Sequence, residues 1–294
     1  MTISKTAISA VLLALCLSSS ALADGFDTSG IAVNPDLAAR VPARIREAGV
    51  LTIGSDTAYA PWEYLSEADG QTPEGIDVDI AKAIGRKLRI KIDFQTAAFD
   101  AIIPALGKKY DLGISAFSIT NERMKVVNFV NYFVSTSLWA VKAGNPTGFD
   151  SKDICGTNLA MQSGTWHEET VVKIKEECTA AGKAAINILP FGLQTEALTR
   201  VAAGGADATV SGDSQIALAV KHSEGTLETM PAFGVLGESG PNGIAVAKAD
   251  MELTQLISDT MNDLLADGTY AKLMAEWGLT VTIKEANINP KVDY

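Results

Sequence analysis

Two histidines and three cysteines are all that 294 residues supply. His167 and His222 stand at no ligand-like spacing from any cysteine, which argues against a metal centre. Also missing are a G-x-S-x-G elbow, a phosphate-binding P-loop and an H-E-x-x-H helix. No convincing nucleophile accompanies either histidine, so the residues give no enzyme reading and call for no cofactor. Basic charge is scarce too: 24 Lys and Arg against 35 Asp and Glu leave a net charge of −11. An acidic chain is a poor partner for nucleic acid or an anionic membrane, and the balance is read here as a solubility feature. Beyond the first residues no apolar run approaches the ~20 residues that a transmembrane helix needs.

What is present begins with a leader. Lys5, the apolar run Ala10 to Leu15 and the small residues from Ser18 to Ala23 form the three parts of an export signal, which predicts cleavage after Ala23. Cys16 follows Leu15 rather than the small residue that lipid attachment wants, so it is assigned to the discarded leader. Loss of Lys5 takes the net charge from −11 to −12. About 270 residues remain, enough for two domains of moderate size. Cys155 and Cys178 are then the remaining cysteines, in a compartment that permits disulfides. Bridged, they close a loop of about 23 residues and stabilise the fold by about 3 kcal/mol on the chain-entropy estimate. The alternative is a pair of buried free thiols.

Strand and helix signals alternate along the chain. Val50–Ile53 reads as a buried strand. A helical pattern follows, with Ile80, Ala81, Ile84 and Leu88 on one face and Asp77 as its expected cap. Residues 90–94 alternate like a half-buried strand. Phe99, Ile102, Ile103 and Leu106 share a helical face, with Pro104 expected near that helix's start, and 111–115 reads as strand. A second block repeats the order: strands at 158–161, 186–189 and 207–210, with helices at 165–178, 195–203 and 214–222. Residues 131–141 are too long and β-rich for a loop and read as a strand crossing between the blocks, and 227–233 as a second crossing. After a strand at 243–247, helices at 251–265 and 269–277 have no sheet of their own and are expected to return to the first block. The class is α/β, with two lobes, two connecting strands and a cleft between the lobes where a small ligand belongs.

One stretch carries most of the chemistry. Asp111-Leu-Gly-Ile-Ser-Ala-Phe-Ser-Ile-Thr-Asn-Glu-Arg123 runs from an apolar strand into hydroxyl-bearing residues and an arginine. A guanidinium is a planar fork of donors that matches a carboxylate and stays charged. The backbone N–H groups of the next turn point the same way.

This stretch resembles the S-x-S-x-T-x-x-R segment of the bacterial family 3 solute-binding proteins, which capture amino acids for ABC importers. Gly54-Ser-Asp-Thr-Ala-Tyr-Ala-Pro-Trp62, Gly75-Ile-Asp-Val-Asp79, Gln162-Ser-Gly-Thr165, Ser211-Gly-Asp213 and Asp267-Gly-Thr-Tyr270 with Trp277-Gly278 resemble further motifs of that family, in order. The likeness covers about Arg44 to Leu279. It implies a type II periplasmic binding fold, with lobe 1 built from 44–135 and 236–282, lobe 2 from 136–235, an extension at 24–43 and a tail at 283–294. It also implies a periplasmic monomer that closes on a small amino-acid-like ligand and docks on a membrane permease. Some relatives of the fold are periplasmic dehydratases and others serve receptors, so an enzyme and a sensor are the alternatives.

The resemblance implies a site as well. Arg123 would bind the α-carboxylate, with Ser115, Ser118, Thr165 and the N–H of Gly164, and Asp213 the α-ammonium. Tyr59, Phe117 and Trp166 would form aromatic walls, Met161 and Ala116 would complete the lining, and Asp56 would face the tail. Taken alone, Arg123 is a surface ion-pair partner and Asp213 a helix cap; Asp77, Asp79 and Trp62 are left structural. Ala116 stands where many relatives carry a hydroxyl, and Gly164 lacks a side-chain donor. No second arginine appears for an acidic tail, whereas Asp56 suits a basic or an amide tail equally.

Overall fold

A computed structural model describes residues 25–293, so the expected leader and its cleavage point lie outside the described residues. Two short helices, α1 (Pro35–Ala39) and α2 (Ala43–Ala48), lead into β1 (Val50–Ser55). A small antiparallel sheet of β2 (Ala58–Tyr59), β3 (Glu63–Leu65) and β4 (Pro73–Glu74) follows. Next come α3 (Ile76–Leu88), β5 (Lys91–Thr96), α4 (Phe99–Ala105), β6 (Leu112–Gly113) and α5 (Asn121–Val126). β7 (Val127–Ser135) and β8 (Ser137–Lys142) are almost one strand, broken only at Thr136. The second block then runs β9 (Asn158–Gln162), α6 (Trp166–Ala180), β10 (Asn187–Phe191), α7 (Gln194–Ala202), β11 (Ala208–Gly212) and α8 (Asp213–Lys221). β12 (Leu227–Pro231), β13 (Gly240–Ala247), α9 (Met251–Ala266) and α10 (Thr269–Glu276) complete the chain.

The strands form two five-stranded sheets, ordered β5-β1-β6-β13-β7 and β10-β9-β11-β8-β12. In each, the first three strands are parallel and the remaining two run antiparallel to their neighbours. The break at Thr136 passes the chain from the first sheet to the second. The return passes between β12 and β13, so the second expected crossing lies just beyond 227–233. Each lobe buries its own apolar face. Ile53, Ile80, Ile84, Leu112 and Val130 pack in the first lobe, and Trp139, Leu159, Met161, Val171 and Val210 in the second. As expected, the last two helices return to the first lobe, where Leu256, Met261, Tyr270 and Leu273 join its core. Residues beyond α10 then lie along β7: Ile288 bridges to Val130, and Asn287 donates its N–H to the Asn131 side chain.

Two local expectations change. Gly75, not Asp77, is the N-cap of α3. Its φ of 122° is open to glycine, and a Cβ there would come within 2.3 Å of the Trp62 carbonyl oxygen. Pro104 sits in the last turn of α4 rather than the first. The helix ends immediately after it, so few backbone bonds depend on the missing N–H.

Cys155 and Cys178 are disulfide-bonded and tie the 150–157 loop to the last turn of α6. Replacing both with serine is expected to cost about 3 kcal/mol, the chain-entropy value for a loop of this size. Chemical unfolding of the variant against the parent measures it, and equal midpoints would contradict the estimate.

Candidate functional site

In both lobes the loops after the parallel strands meet in the cleft, the place where open α/β sheets put ligands. β1 ends into Asp56, β6 into Ser115, β9 into Gly164 and β11 into Gly212. Two adjoining cavities of about 30 and 20 Å³ occupy the cleft; Tyr59, Ala116, Ser118, Trp166 and His167 line both. By volume each has room for a water or two rather than for an amino acid.

Arg123 is the centre of the site. Thr120 caps α5, accepting from the Arg123 N–H at 3.1 Å, and this fixes the arginine in the helix's first turn. Its guanidinium is buried and lies over the rings of Phe99 and Phe117, at 5.7 and 5.9 Å from their centres. Nη1 donates to the Ser118 carbonyl at 2.9 Å and Nη2 to the Gly164 carbonyl at 2.8 Å. No carboxylate among the described residues pairs with it. Burial pushes its pKa below the usual guanidinium range, opposed by the charge of Glu169. Two carbonyls occupy two of five N–H donors, and an anion is the partner still called for.

Direct bonds join the lobes across the cleft at several places. Besides Arg123 to Gly164, Gln162 Nε2 donates to Asp56 Oδ2 at 2.6 Å. The Tyr59 hydroxyl lies 2.6 Å from Ser211 Oγ and accepts from the Gly212 N–H at 3.1 Å. Trp62 Nε1 donates to Ser214 Oγ at 2.9 Å. Burial raises the pKa of Asp56 to about 6, opposed by the bond from Gln162 and helped by the charge of Asp100. Burial likewise pushes the Tyr59 phenol up to about 12. His167 Nε2 lies 2.9 Å from Ser137 Oγ, and burial with the nearby Arg123 charge lowers its pKa to about 3. The imidazole is therefore neutral.

The structure brings Asp56, Tyr59, Ser115, Ala116, Ser118, Arg123, Gly164, Thr165 and Trp166 to the cleft, and places three other named residues elsewhere. Met161 is fully buried in the second lobe's core. Phe117 is fully buried beneath Phe99, their ring centres 4.8 Å apart, so Phe99 supplies the exposed wall. Asp213 is turned toward the crossing, where Oδ2 accepts from Thr136 Oγ1 at 2.7 Å and Oδ1 from the Ser214 N–H. Gly212, not Asp213, is the N-cap of α8. The Gly164 N–H, read as available, is held by Glu168 Oε2 at 2.8 Å. Thr165 Oγ1 caps α6 by accepting from the Glu168 N–H at 3.1 Å. Gly164 itself has φ of 76°, and a Cβ there would fall 2.7 Å from the Asp100 Cβ across the cleft. A side chain at 164 is excluded by the approach of the lobes.

Gln162, His167, Phe99 and Asn242 also line the cleft, and the sequence does not single them out. Gln162 opens the Gln162–Thr165 motif and His167 closely follows it, so both were within reach of that signal. Asn242 was not: its side chain donates to the Ala116 carbonyl at 2.7 Å from 126 residues away.

A sequence model of the bacterial extracellular solute-binding proteins, family 3, matches residues 51–280. The chain belongs to this family. It is 29% identical over 258 residues to an arginine-binding protein of Corynebacterium glutamicum, covering 87% of this chain and 83% of the relative. It is 29% identical to an L-arginine-binding protein of Pseudomonas aeruginosa, covering 83% of this chain and 90% of that one. Among solved structures, a variant of the arginine-binding protein from T. maritima is similar, with a TM-score of 0.70, 31% identity and coverage of 80% of this chain and 97% of that one. An ancestral amino-acid-binding protein described as a precursor of cyclohexadienyl dehydratase gives 0.69 and 28%, with the same coverage.

The His167 assignment is open to direct measurement. Its imidazole resonances should not titrate between about pH 5 and 8 in nuclear magnetic resonance spectra, whereas an unperturbed histidine titrates near 6.5. A midpoint within that range would show that the ring is solvated.

Proposed function

We propose that this protein is the periplasmic receptor of an ABC importer and captures a small polar or basic amino acid, or a derivative of one, by closure of its two lobes. The carrying observation is the buried Arg123 guanidinium, which faces the cleft with donors to spare and no carboxylate of its own. A ligand carboxylate would complete that fork. The lobes contact each other directly at Asp56, Tyr59, Trp62 and Arg123. A ligand would exchange some of those contacts for its own, which couples binding to the hinge closure that periplasmic binding proteins exemplify.

The tail would meet Asp56, whose partner Gln162 is a neutral amide that a ligand's amide or cation can replace. The arginine-binding names of the similar proteins support a basic tail for this chain. For the α-ammonium, Asp213 is the proposed partner. It stands beside Gly212 and Thr136, which line the cavity, and would exchange the Thr136 hydroxyl for the ammonium.

Arg123→Ala should abolish binding in titration calorimetry while leaving the thermal transition in place, because truncating one member of a desolvated charge pair costs about 2–5 kcal/mol. Arg123→Lys should also bind poorly, since an ammonium does not reproduce the fork. Near-parental affinity in either variant would remove Arg123 from the site.

Ligand choice is tested with matched pairs. Arginine and glutamine should each bind better than glutamate, and each better than its deaminated analogue, because a missing amine leaves Asp213 with the neutral Thr136 hydroxyl in place of a charged partner. Affinity for a cationic tail should also fall as pH drops through about 6, by up to about tenfold per unit, as Asp56 gains a proton and loses its charge. A neutral tail should respond less. Tighter glutamate binding, indifference to the amine or a flat pH profile for arginine would each contradict the assignment. Consumption of the compound instead of binding would favour an enzyme.

A further inference from the structure

Beneath the cleft-facing turn, two carboxyl groups lie together with no cation beside them. Glu63 on β3 is 1% exposed and Asp77 in the first turn of α3 is 0% exposed. Each uses one oxygen on the turn above. Glu63 Oε1 accepts from the Ser115 hydroxyl at 2.7 Å, and that hydroxyl accepts from the Asp56 N–H at 3.0 Å. Asp77 Oδ2 accepts from the Ala116 N–H at 2.8 Å. Ala116 has φ of 44°, a region unfavourable to a residue with a Cβ, so this bond helps hold a conformation alanine would not choose. The other two oxygens, Glu63 Oε2 and Asp77 Oδ1, are buried without a hydrogen-bond partner, and the Tyr132 hydroxyl, buried and unpartnered too, faces Asp77. The two carboxyl groups are within hydrogen-bonding reach of each other.

Two ionised carboxylates in that position would repel, and the Tyr132 hydroxyl reaches Asp77 alone, which leaves Glu63 Oε2 buried and unsatisfied. One proton removes both faults. A carboxylic acid at Glu63 Oε2 donates to Asp77 Oδ1, leaving Glu63 Oε1 and Asp77 Oδ2 free to accept from the turn. We propose that Glu63 and Asp77 share a single proton and together act as the positioning pair of the Ser115–Ala116 turn.

The groups facing the pair agree with this arrangement. Asp56 follows β1, Tyr59 lies on β2, Tyr132 on β7 and Tyr270 on α10; none is a cation. Burial raises both acids above the usual carboxylate range, Glu63 further because the Asp77 charge adds to it. The folded chain therefore keeps a proton that the unfolded chain has released. The sign follows: stability is full below the ordinary carboxylate range and declines as pH rises above it, until the pair gives up its proton.

The test uses the mature chain without any ligand, so its failure is separate from failure of the binding function. Glu63→Gln supplies a fixed N–H donor to Asp77 and keeps an acceptor for Ser115, whereas Glu63→Ala supplies neither. Above about pH 5, the folding equilibrium constant of the parent should fall relative to that of E63Q by up to about tenfold per pH unit, the value for one proton, until the pair gives up its proton. A protonated-carboxyl infrared band of the parent should be missing from E63Q. Hydrogen exchange at the Ala116 amide should be unchanged in E63Q and faster in E63A; if E63A does not fold, E63Q carries the comparison. Parallel pH profiles for parent and E63Q, or an Ala116 amide in E63Q that exchanges many-fold faster than in the parent, would overturn the proposal.

Discussion

A single desolvated cation organises this molecule. Arg123 lies buried between two lobes, and among the described residues no carboxylate pairs with it, the Glu169 charge only opposing the effect of burial. Carbonyls, aromatic faces and a neutral histidine surround it instead. Such an environment is expensive for the positive charge alone and favourable once an anion arrives, because attraction grows as water leaves. The lobe-to-lobe bonds and the neutrality of His167 are consistent with that requirement. A second cation in the first turn of α6 would have weakened the site by repulsion.

Much of this was readable before the structure, and the reason is periodicity. Alternating short apolar runs and amphipathic stretches fix the order of strands and helices, and strand ends fix the cleft. The Ser115 to Arg123 strap is legible from its residues at a strand end, whereas Asp56 and Gly164 are legible through motifs that resemble those of the family. Side-chain direction is another matter. Met161 and Phe117 lie beside cleft residues in sequence but face the cores, since alternate residues of an extended chain point to opposite sides. Asp213 answers to Thr136, a partner 77 residues away that local pattern does not reveal. Asn242 and the Glu63–Asp77 pair are contacts of the same long-range kind.

Gly164 shows how specificity and closure become one constraint. The position where a donor side chain could add a contact to a ligand is also one where the lobes approach closely, with Asp100 opposite. Any gain in recognition from a side chain there would be offset by a wider closed state. The backbone carbonyl needs no such space, and it is through this atom that Gly164 accepts from Arg123.

The strap of chain beyond α10 has a consequence of its own. β7 is the outermost strand of the first sheet, and an outer strand presents unpaired N–H and C=O groups that another chain can join. Ile288, Asn287, Asn289 and Thr282 occupy part of that edge, pairing with Val130, Asn131, Phe129 and Val134. The same nine-residue strand runs straight into the crossing at Thr136. Covering it therefore leaves fewer free strand-edge groups, next to the crossing, for another chain to join.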